Sequence, residues 1–507
     1  MKISDIVQGI EGATISGAAD PEIKSIHYDS REVRPEGLFV AIRGLQTDGH
    51  KYIDDAIQKG AKAVVVENGW TGACDCPVIR MPNSRVALSH IGATFYGNPS
   101  ADLWIVGITG TNGKTTTSYL TEAILTAAGF NVGVIGTVNY RFNGKVYPNP
   151  MTTPEALDTQ KLLREMVQNG VTHVVMEVSS HGLDLHRVDH CWFDVGVFTN
   201  LSQEHLDYHK SMEAYFECKK RLFVELLARG PKRNKAVAVI NWDDSRGKLI
   251  ARELTLPCLY VGYSPGSMIW AENIKTTSEC TSGIIRMPKG MLSFQSHLVG
   301  RYNVYNILAA TGVSAALDIP LDSIKRGISQ EHRVPGRLEP VENDLGITIL
   351  VDYAHTPDAL EHVLSALREL TTGKLVTIFG CGGDRDRKKR PLMGEVVGRL
   401  SDLAVVTSDN PRTESPDAII ESIMAGIKPV RTKEYRISDL QNGFDEPGYI
   451  VIPDRKSAIR EGIRAARSQD TVLIAGKGHE TYQIIGKGSL PFDDRQVAKE
   501  AIKNMMS

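Results

Sequence analysis

Between Gly107 and Thr116 the chain reads Gly107-Ile108-Thr109-Gly110-Thr111-Asn112-Gly113-Lys114-Thr115-Thr116. A run of small residues closed by Gly-Lys-Thr, after a strand-like stretch and before a helix-like one, is the pattern of a phosphate-binding loop. Side chains this small let backbone N–H groups converge on phosphate oxygens, and the helix N-terminus adds positive potential. Lys114 would then contact the β and γ phosphates, and the Thr115 hydroxyl would reach a magnesium ion. Ile108 stands where the common pattern has its first glycine, so a Gly-rich turn opening a helix is the plainer alternative.

Other groups fall where such a loop could use them. Glu177 ends the apolar stretch His173 to Val178, which places a carboxylate at the carboxyl edge of the same sheet. A second stretch ends in Thr199-Asn200-Leu201 and leads into Glu204-His205-Leu206-Asp207. Carboxylate and imidazole there could hold a cation bridging a transferring phosphate. An isolated histidine would be an ordinary surface or core residue; after a strand of this sheet, His205 is a candidate ligand.

The elements that must position these groups follow an α/β pattern. Apolar runs at 103–108, 132–135, 173–178, 195–199 and 236–240 alternate with amphipathic stretches, which predicts a parallel sheet covered on both faces. Before them, strands at 38–42 and 63–67 belong to a first unit ending near Tyr96-Gly97-Asn98-Pro99-Ser100. The stretch 258–295 is richer in Thr, Ser and Gly and suggests a small β insertion. After Arg333-Val334-Pro335-Gly336-Arg337 the pattern restarts, with strands at 347–351, 375–379, 403–407 and 471–475. Its helices begin near Pro357, Pro391, Pro416 and Ser457, where proline is tolerated in a first turn. The expected architecture is three α/β domains: 1–98, a central P-loop-like domain at 99–334, and a Rossmann-like domain at 335–507.

Composition narrows the function classes. A chain of 507 residues exceeds one ordinary core. Its 58 Lys and Arg oppose 60 Asp and Glu, so no global charge favours nucleic acid or an anionic membrane. The start lacks the apolar core of a signal peptide, and no apolar run approaches the ~18 residues of a membrane span. Seven cysteines without framework spacing fit a reducing cytosol, and Cys74 and Cys76 lack the second pair of a zinc site. A cytoplasmic protein, binding phosphorylated ligands only at local sites, is expected.

Seven ordered motifs carry a family resemblance. Thr109 to Thr115, Glu177-Val178-Ser179-Ser180-His181-Gly182, Asn200 to Asp207, Leu298 to Asn306 (LVGRYNVYN) and Val351 to Pro357 (VDYAHTP) resemble the Mur ligases. Asp29-Ser30-Arg31 and Gly476 to Glu480 (GKGHE) extend the likeness over essentially the whole chain. It implies an ATP-dependent amide-bond-forming ligase of cell-wall precursor synthesis. ATP phosphorylates a substrate carboxylate, an amine attacks the acyl phosphate, and phosphate leaves a tetrahedral intermediate. Positioning and charge neutralisation by Lys114 and magnesium would supply most of the acceleration.

The resemblance assigns residues as well. Gly110, Thr111, Asn112, Gly113, Lys114, Thr115 and Thr116 bind ATP, with Asn303 and Asn306 near the adenosine and Arg337 and Asp352 reaching across from the last domain. A helix-capping asparagine explains Asn303 equally well, and His355 reads evenly as structural or functional. Thr115, Glu177 and His205 hold magnesium. Lys219, in Tyr215-Phe216-Glu217-Cys218-Lys219, aligns with a lysine carbamylated in the family, giving a carboxylate-like metal ligand; the alternative is that Lys219 and Lys220 are two solvated helix lysines.

Substrate identity rests on the same likeness, closest to the ligases that extend UDP-N-acetylmuramoyl-L-Ala-D-Glu to a tripeptide. Ser30, Thr152, Thr153, Ser179 and Arg187 would grip that nucleotide-linked dipeptide, although Leu185 replaces a glutamine of some relatives. Asp409-Asn410-Pro411-Arg412 resembles the signature of meso-diaminopimelate addition. Diaminopimelate ends in a second carboxylate and ammonium where lysine has only ammonium, and guanidinium groups bind a carboxylate in bidentate fashion. Arg412 and Arg385 would take the carboxylate, Glu480 the ammonium, and Gly476 would allow close approach. An arginine closing a turn after Asn-Pro is the plainer alternative for Arg412. A lysine-adding tripeptide synthetase, a folate polyglutamylating ligase and a P-loop kinase or regulatory NTPase remain as rivals. A monomer is expected, whose domains close to bring ATP and amino acid together.

Overall fold

The computed structural model describes residues 1–44, 47–147, 149, 151–228, 230–263, 265–277, 279–330, 333–441 and 443–506. Among the described residues it contains three large sheets covered by helices and one two-stranded sheet. Strands such as Val132–Ile135, His173–Glu177, Val195–Phe198, Leu375–Phe379 and Leu403–Val406 are buried along their whole length. Continuous apolar runs of this kind suit a sheet packed on both faces, and separate cores do lie on either side of the central and the last sheet.

The first sheet has five strands in the order Thr14–Ser16, Val78–Met81, Ala61–Glu67, Gly37–Val40, Ser25–His27. The central sheet has eleven strands. Its parallel middle runs Val132–Ile135, His173–Glu177, Trp104–Thr109, Val195–Phe198, Val237–Asn241, Cys258–Gly262, Ile269–Thr276. Antiparallel strands extend it at both edges. The β insertion expected at 258–295 is therefore not separate: Cys258–Gly262 pairs in parallel with Val237–Asn241 and hands the ladder on to the hairpin of Thr281–Met287 and Gly290–Ser296.

The last sheet has six strands in the order Glu339–Pro340, Thr348–Asp352, Thr471–Ala475, Leu375–Phe379, Leu403–Val406, Gly448–Val451. Helices start on Pro357 and Pro416 as the sequence suggests, whereas two others begin two residues early, at Lys389 and Arg455. Asp454 explains the second shift, since its carboxylate accepts from Ser457 N at 2.8 Å and caps the helix one turn ahead of Ser457. The short edge strand Gly448–Val451 and a hairpin of Tyr482–Ile485 with Gly488–Pro491 carry too little apolar alternation to be found from sequence. Among the described residues no helix is long and apolar enough to cross a membrane.

Buried histidines tie the fold to pH, His173 and His190 among them. His173 opens its strand against the rings of Phe130, at 4.1 Å, and Trp104. His190 packs edge-on against His90 of the first unit at 4.8 Å. Burial pulls both down to about 4, with His90 adding to the effect on His190. The unfolded chain, with ordinary histidines near ~6.5, takes up these protons first as pH falls. Stability contributed by the neutral rings is thus complete above about pH 6.5 and is lost progressively toward pH 4. Thermal unfolding measured at pH 7.5, 6.0 and 5.0 should show a midpoint that falls stepwise; a flat midpoint across that range contradicts the assignment.

Candidate active site

The strand Trp104–Thr109 ends in Gly110, whose φ of +146° and contact with the Thr199 hydroxyl leave no room for a side chain. The loop then wraps the N-terminus of the helix Lys114–Ala127. Asn112 N donates to Asn200 Oδ1 at 2.9 Å, and Thr199 Oγ1 donates to Asn112 O at 2.7 Å, so the neighbouring strand end braces it. Lys114 Nζ curls back onto Gly110 O and Thr111 O, both at 2.9 Å. Burial lowers its pKa, against the opposing pull of Glu204 and Glu177. A partly buried amine whose hydrogen bonds go only to carbonyls is placed to meet an anion.

Glu177 is buried beside this loop. Its Oε2 accepts from Thr115 Oγ1 at 3.0 Å and Thr137 Oγ1 at 2.8 Å, and its Oε1 from Thr137 N at 2.9 Å. Glu204, which the sequence offers only as one of the carboxylates beside His205, has a partner in another unit. Its carboxylate faces His205 at 3.6 Å and His355 of the last sheet's unit at 3.2 Å. Burial would raise its pKa, but His205, His355 and Lys114 outweigh that and hold it well below the usual carboxylate range. Only the fold could reveal this, because His355 lies about 150 residues further along the chain.

Lys219 and Lys220 separate cleanly. Lys219 is buried, donates to Gly110 O at 2.8 Å and lies 4.5 Å from the centre of the Tyr215 ring. Burial, reinforced by Lys114, brings its pKa well below the ordinary lysine value. Lys220 instead pairs with Glu217 at 2.7 Å and Glu253 at 3.1 Å. The two-solvated-lysines alternative fails for Lys219.

A cavity of about 810 Å³ opens over the loop, lined by Thr111 to Thr116, Asn303, Asn306, Arg337 and Asp352 among others. Asn303 and Asn306 are partly structural: Asn303 Nδ2 donates to Val299 O at 2.8 Å, and Asn306 Nδ2 to Asn303 Oδ1 at 2.9 Å. Asp352 spends both carboxylate oxygens on Leu338 N and Ala354 N, each at 2.7 Å. Arg337 Nη2 reaches Thr115 Oγ1 at 3.2 Å, and Asn112 Nδ2 reaches Asp358 Oδ2 at 2.8 Å, so the two units meet over the phosphate loop.

Thr152, Thr153, Ser179 and Arg187 form one polar cluster. Thr153 Oγ1 accepts from Ser179 N at 3.0 Å, Thr152 and Thr137 hydroxyls lie 3.1 Å apart, and Arg187 donates to Thr153 O at 3.0 Å while pairing with Glu155 at 2.8 Å. Ser30 stands apart in the first unit, where its carbonyl accepts from Lys59 at 3.0 Å.

A second cavity of about 450 Å³ brings Arg385, Asp409, Asn410, Arg412, Gly476 and Glu480 together from three loop regions. Pro411 does not line it; its carbonyl packs against Gly383 and shapes the loop. Gly476 has φ +114°, and a side chain there would stand 2.6 Å from Asp409 Oδ2. Arg412, itself at φ +53°, donates to Gly383 O at 2.8 Å. Burial and the adjacent Arg385 lower its pKa. Asp409, Glu480 and Asp384 partly offset it, and the two guanidinium groups facing one cavity can bind a carboxylate in bidentate fashion. The two cavities share Ser202, Glu204, His205, Tyr353, His355, Thr356 and Asp358.

Comparisons with known proteins agree with this geometry. Family models described as Mur ligase family, catalytic domain, Mur ligase middle domain, and Mur ligase, glutamate ligase domain match residues 22–96, 108–314 and 336–478. A UDP-N-acetylmuramoyl-L-alanyl-D-glutamate--2,6-diaminopimelate ligase of Geobacter metallireducens is 50% identical, covering 100% of this chain and 99% of its own length. The protein of the same description from Geobacter sulfurreducens is 47% identical over 99% of both chains. A solved structure of a ligase so described superposes with a TM-score of 0.67 at 30% identity, covering 100% of this chain and 99% of the other. MurF ligase from Thermotoga maritima, solved in complex with ADP, shares the fold at 21% identity and a TM-score of 0.64, covering 95% of this chain and 96% of its own.

The contrast between the adjacent lysines gives a direct test. Lys219→Ala should lower kcat by roughly 10²-fold or more, as losing a preorganised polar group of the active site does. Lys220→Ala, removing only a surface ion pair, should stay within about twofold of the parent. Equal losses in the two variants, measured by phosphate release, would refute the distinction.

Proposed function

The chain belongs to the Mur ligase family, and we propose that it joins meso-2,6-diaminopimelate to UDP-N-acetylmuramoyl-L-Ala-D-Glu with hydrolysis of ATP to ADP and phosphate. The observation that carries this reading is the common rim of the two cavities. One is built around a phosphate loop, the other around paired guanidinium groups, and they meet at Glu204, His205 and His355.

The reaction follows from that arrangement. The terminal carboxylate of the dipeptide attacks the γ-phosphorus of ATP, the bond to the bridging oxygen breaks, and ADP leaves. The amine of diaminopimelate then attacks the acyl phosphate, the tetrahedral adduct collapses, and inorganic phosphate departs as the amide forms. The backbone N–H groups of 110–116 and Lys114 offset the phosphate charge in both steps, as preorganised donors. Thr152, Thr153, Ser179 and Arg187 orient the dipeptide, and Ser30 serves the uridine nucleotide on the first unit. Arg385 and Arg412 take the distal carboxylate and Glu480 the distal ammonium, with Asp409, Asn410 and Gly476 shaping the pocket.

Thr115, Glu177 and His205, with Lys219 as a carbamate, would hold Mg²⁺. The donor set fits the ion: Glu177 is a buried carboxylate already facing two hydroxyls, which is hard oxygen chemistry. The ion supplies charge neutralisation to the transferring phosphoryl group. Carbamylation suits Lys219 because burial favours its neutral amine, which can add to CO₂ with loss of a proton, and Lys114 lies near enough to balance the new negative charge. In this reading residues 1–98 serve the uridine nucleotide, 99–334 ATP and 335–507 the amino acid. The protein works as a monomer in the cytoplasm, which the completion of both cavities by one chain supports.

Mass spectrometry of products from Mg-ATP, the UDP-linked dipeptide and either meso-diaminopimelate or L-lysine tests the reading. Tripeptide with diaminopimelate alone is expected. Arg412→Ala should then raise the KM for diaminopimelate roughly 10- to 150-fold, the equivalent of about 1.5–3 kcal/mol for a lost charged hydrogen bond. Product with lysine in place of diaminopimelate would overturn the substrate assignment and leave the ligase.

A further inference from the structure

Behind the guanidinium pair lies a lysine with no part in the reaction as described. Lys477 follows the strand Thr471–Ala475, and its side chain is fully buried. Its Nζ donates to Glu480 Oε2 at 2.8 Å and to Asn410 Oδ1 at 3.1 Å. Asn410 Nδ2 donates to the same Glu480 Oε2 at 2.9 Å, so ammonium, amide and carboxylate close a triangle. Ile484 N also donates to Asn410 Oδ1, at 2.9 Å, which fixes the amide with its nitrogen toward Glu480.

The bonding leaves an asymmetry. Glu480 Oε2 is occupied by two donors, whereas Oε1 has no protein donor among the described residues, and Glu480 lines the amino-acid cavity. We propose that Lys477 is a positioning residue of the amino-acid site: it holds Glu480 and Asn410 in one rotamer each, so that a single carboxylate oxygen, Oε1, is presented to the ammonium of the incoming diamino acid. This rests on the assignment of the Arg385–Arg412 cavity to diaminopimelate. A lysine buried without water needs its charge compensated, and a carboxylate beside two guanidinium groups would otherwise swing toward them; one contact answers both demands. The hairpin containing Ile484 belongs to the same device. Arg412 N donates to Ile484 O at 3.1 Å, and Gln483 Nε2 to Asp409 O at 2.6 Å, stitching the hairpin to the Asp409–Arg412 loop.

Steady-state kinetics on the full-length enzyme test this, with the parent first shown to make the diaminopimelate tripeptide. Lys477→Met should raise the KM for diaminopimelate at least tenfold. The KM values for ATP and the UDP-linked dipeptide should stay within about twofold and kcat within about threefold. Lys477→Gln, which keeps an N–H donor for Glu480, should recover part of the loss. Because the lysine acts through Glu480, the double variant of Lys477→Met with Glu480→Gln should be no worse than Glu480→Gln alone. An unchanged KM for diaminopimelate in Lys477→Met, additive losses in the double variant, or a parallel rise in all three KM values would each overturn the proposal. Should Lys477→Met not fold, Lys477→Gln carries the same comparison. A parent that makes no diaminopimelate product overturns instead the function on which the proposal rests.

Discussion

The partly buried amine of Lys114, resting on the carbonyls of Gly110 and Thr111, is the interaction around which the rest is arranged. Its direct hydrogen bonds go to neutral oxygens, and Glu204 and Glu177 pull on it from further away, so the loop suits an incoming phosphate by its energetics as well as its shape. That geometry requires a backbone with no side chain at Gly110, a helix starting at Lys114, and neighbouring strand ends that supply Thr199 and Asn200 as braces. The parallel order of the central sheet delivers all of them at one edge, where Glu177 also ends its strand.

Charge then propagates outward in a compensated series. Lys114 stands near Glu177 and Glu204, Glu204 faces His205 and His355, and Lys219 lies neutral against Gly110. In the second cavity Arg412 feels Arg385 on one side and Asp409, Glu480 and Asp384 on the other, and the proposed diaminopimelate carboxylate would meet the guanidinium pair. The contacts Asn112–Asp358, Arg337–Thr115 and Glu204–His355 cross from the central unit to the last. They bring the two cavities to a common rim, the arrangement that the proposed two-step ligation needs.

Supporting residues do as much positioning as those that meet substrate. Asn303 and Asn306 sit in the nucleotide cavity yet spend hydrogen-bonding capacity on each other and on the turn before their helix. Asp352 clamps the turn at Leu338 and Ala354, and Pro411 shapes a loop without lining the cavity. For such residues a motif marks a place in the architecture, and the chemistry belongs to the neighbour they hold.

Much of the fold, and the conformation of the loop before Lys114, was legible in the sequence, because both are local. Apolar runs buried on two faces announce parallel strands, and a loop of small residues before Lys114 announces its own conformation. The pattern failed where elements are short or lean on distant partners: the strand Gly448–Val451, the hairpin after Glu480, and the 258–295 stretch that joined the central sheet instead of standing apart. Residue types at 219 and 220 are identical, so only packing could decide that one is buried against Gly110 and the other paired with Glu217 and Glu253. Glu204 with His355, and Lys477 with Asn410, were likewise settled by tertiary structure alone. Sequence determines which groups are present and what conformation each short segment prefers. Which charges must share a low-dielectric space, and so fix one another's position and protonation, is decided when segments far apart in the chain pack together.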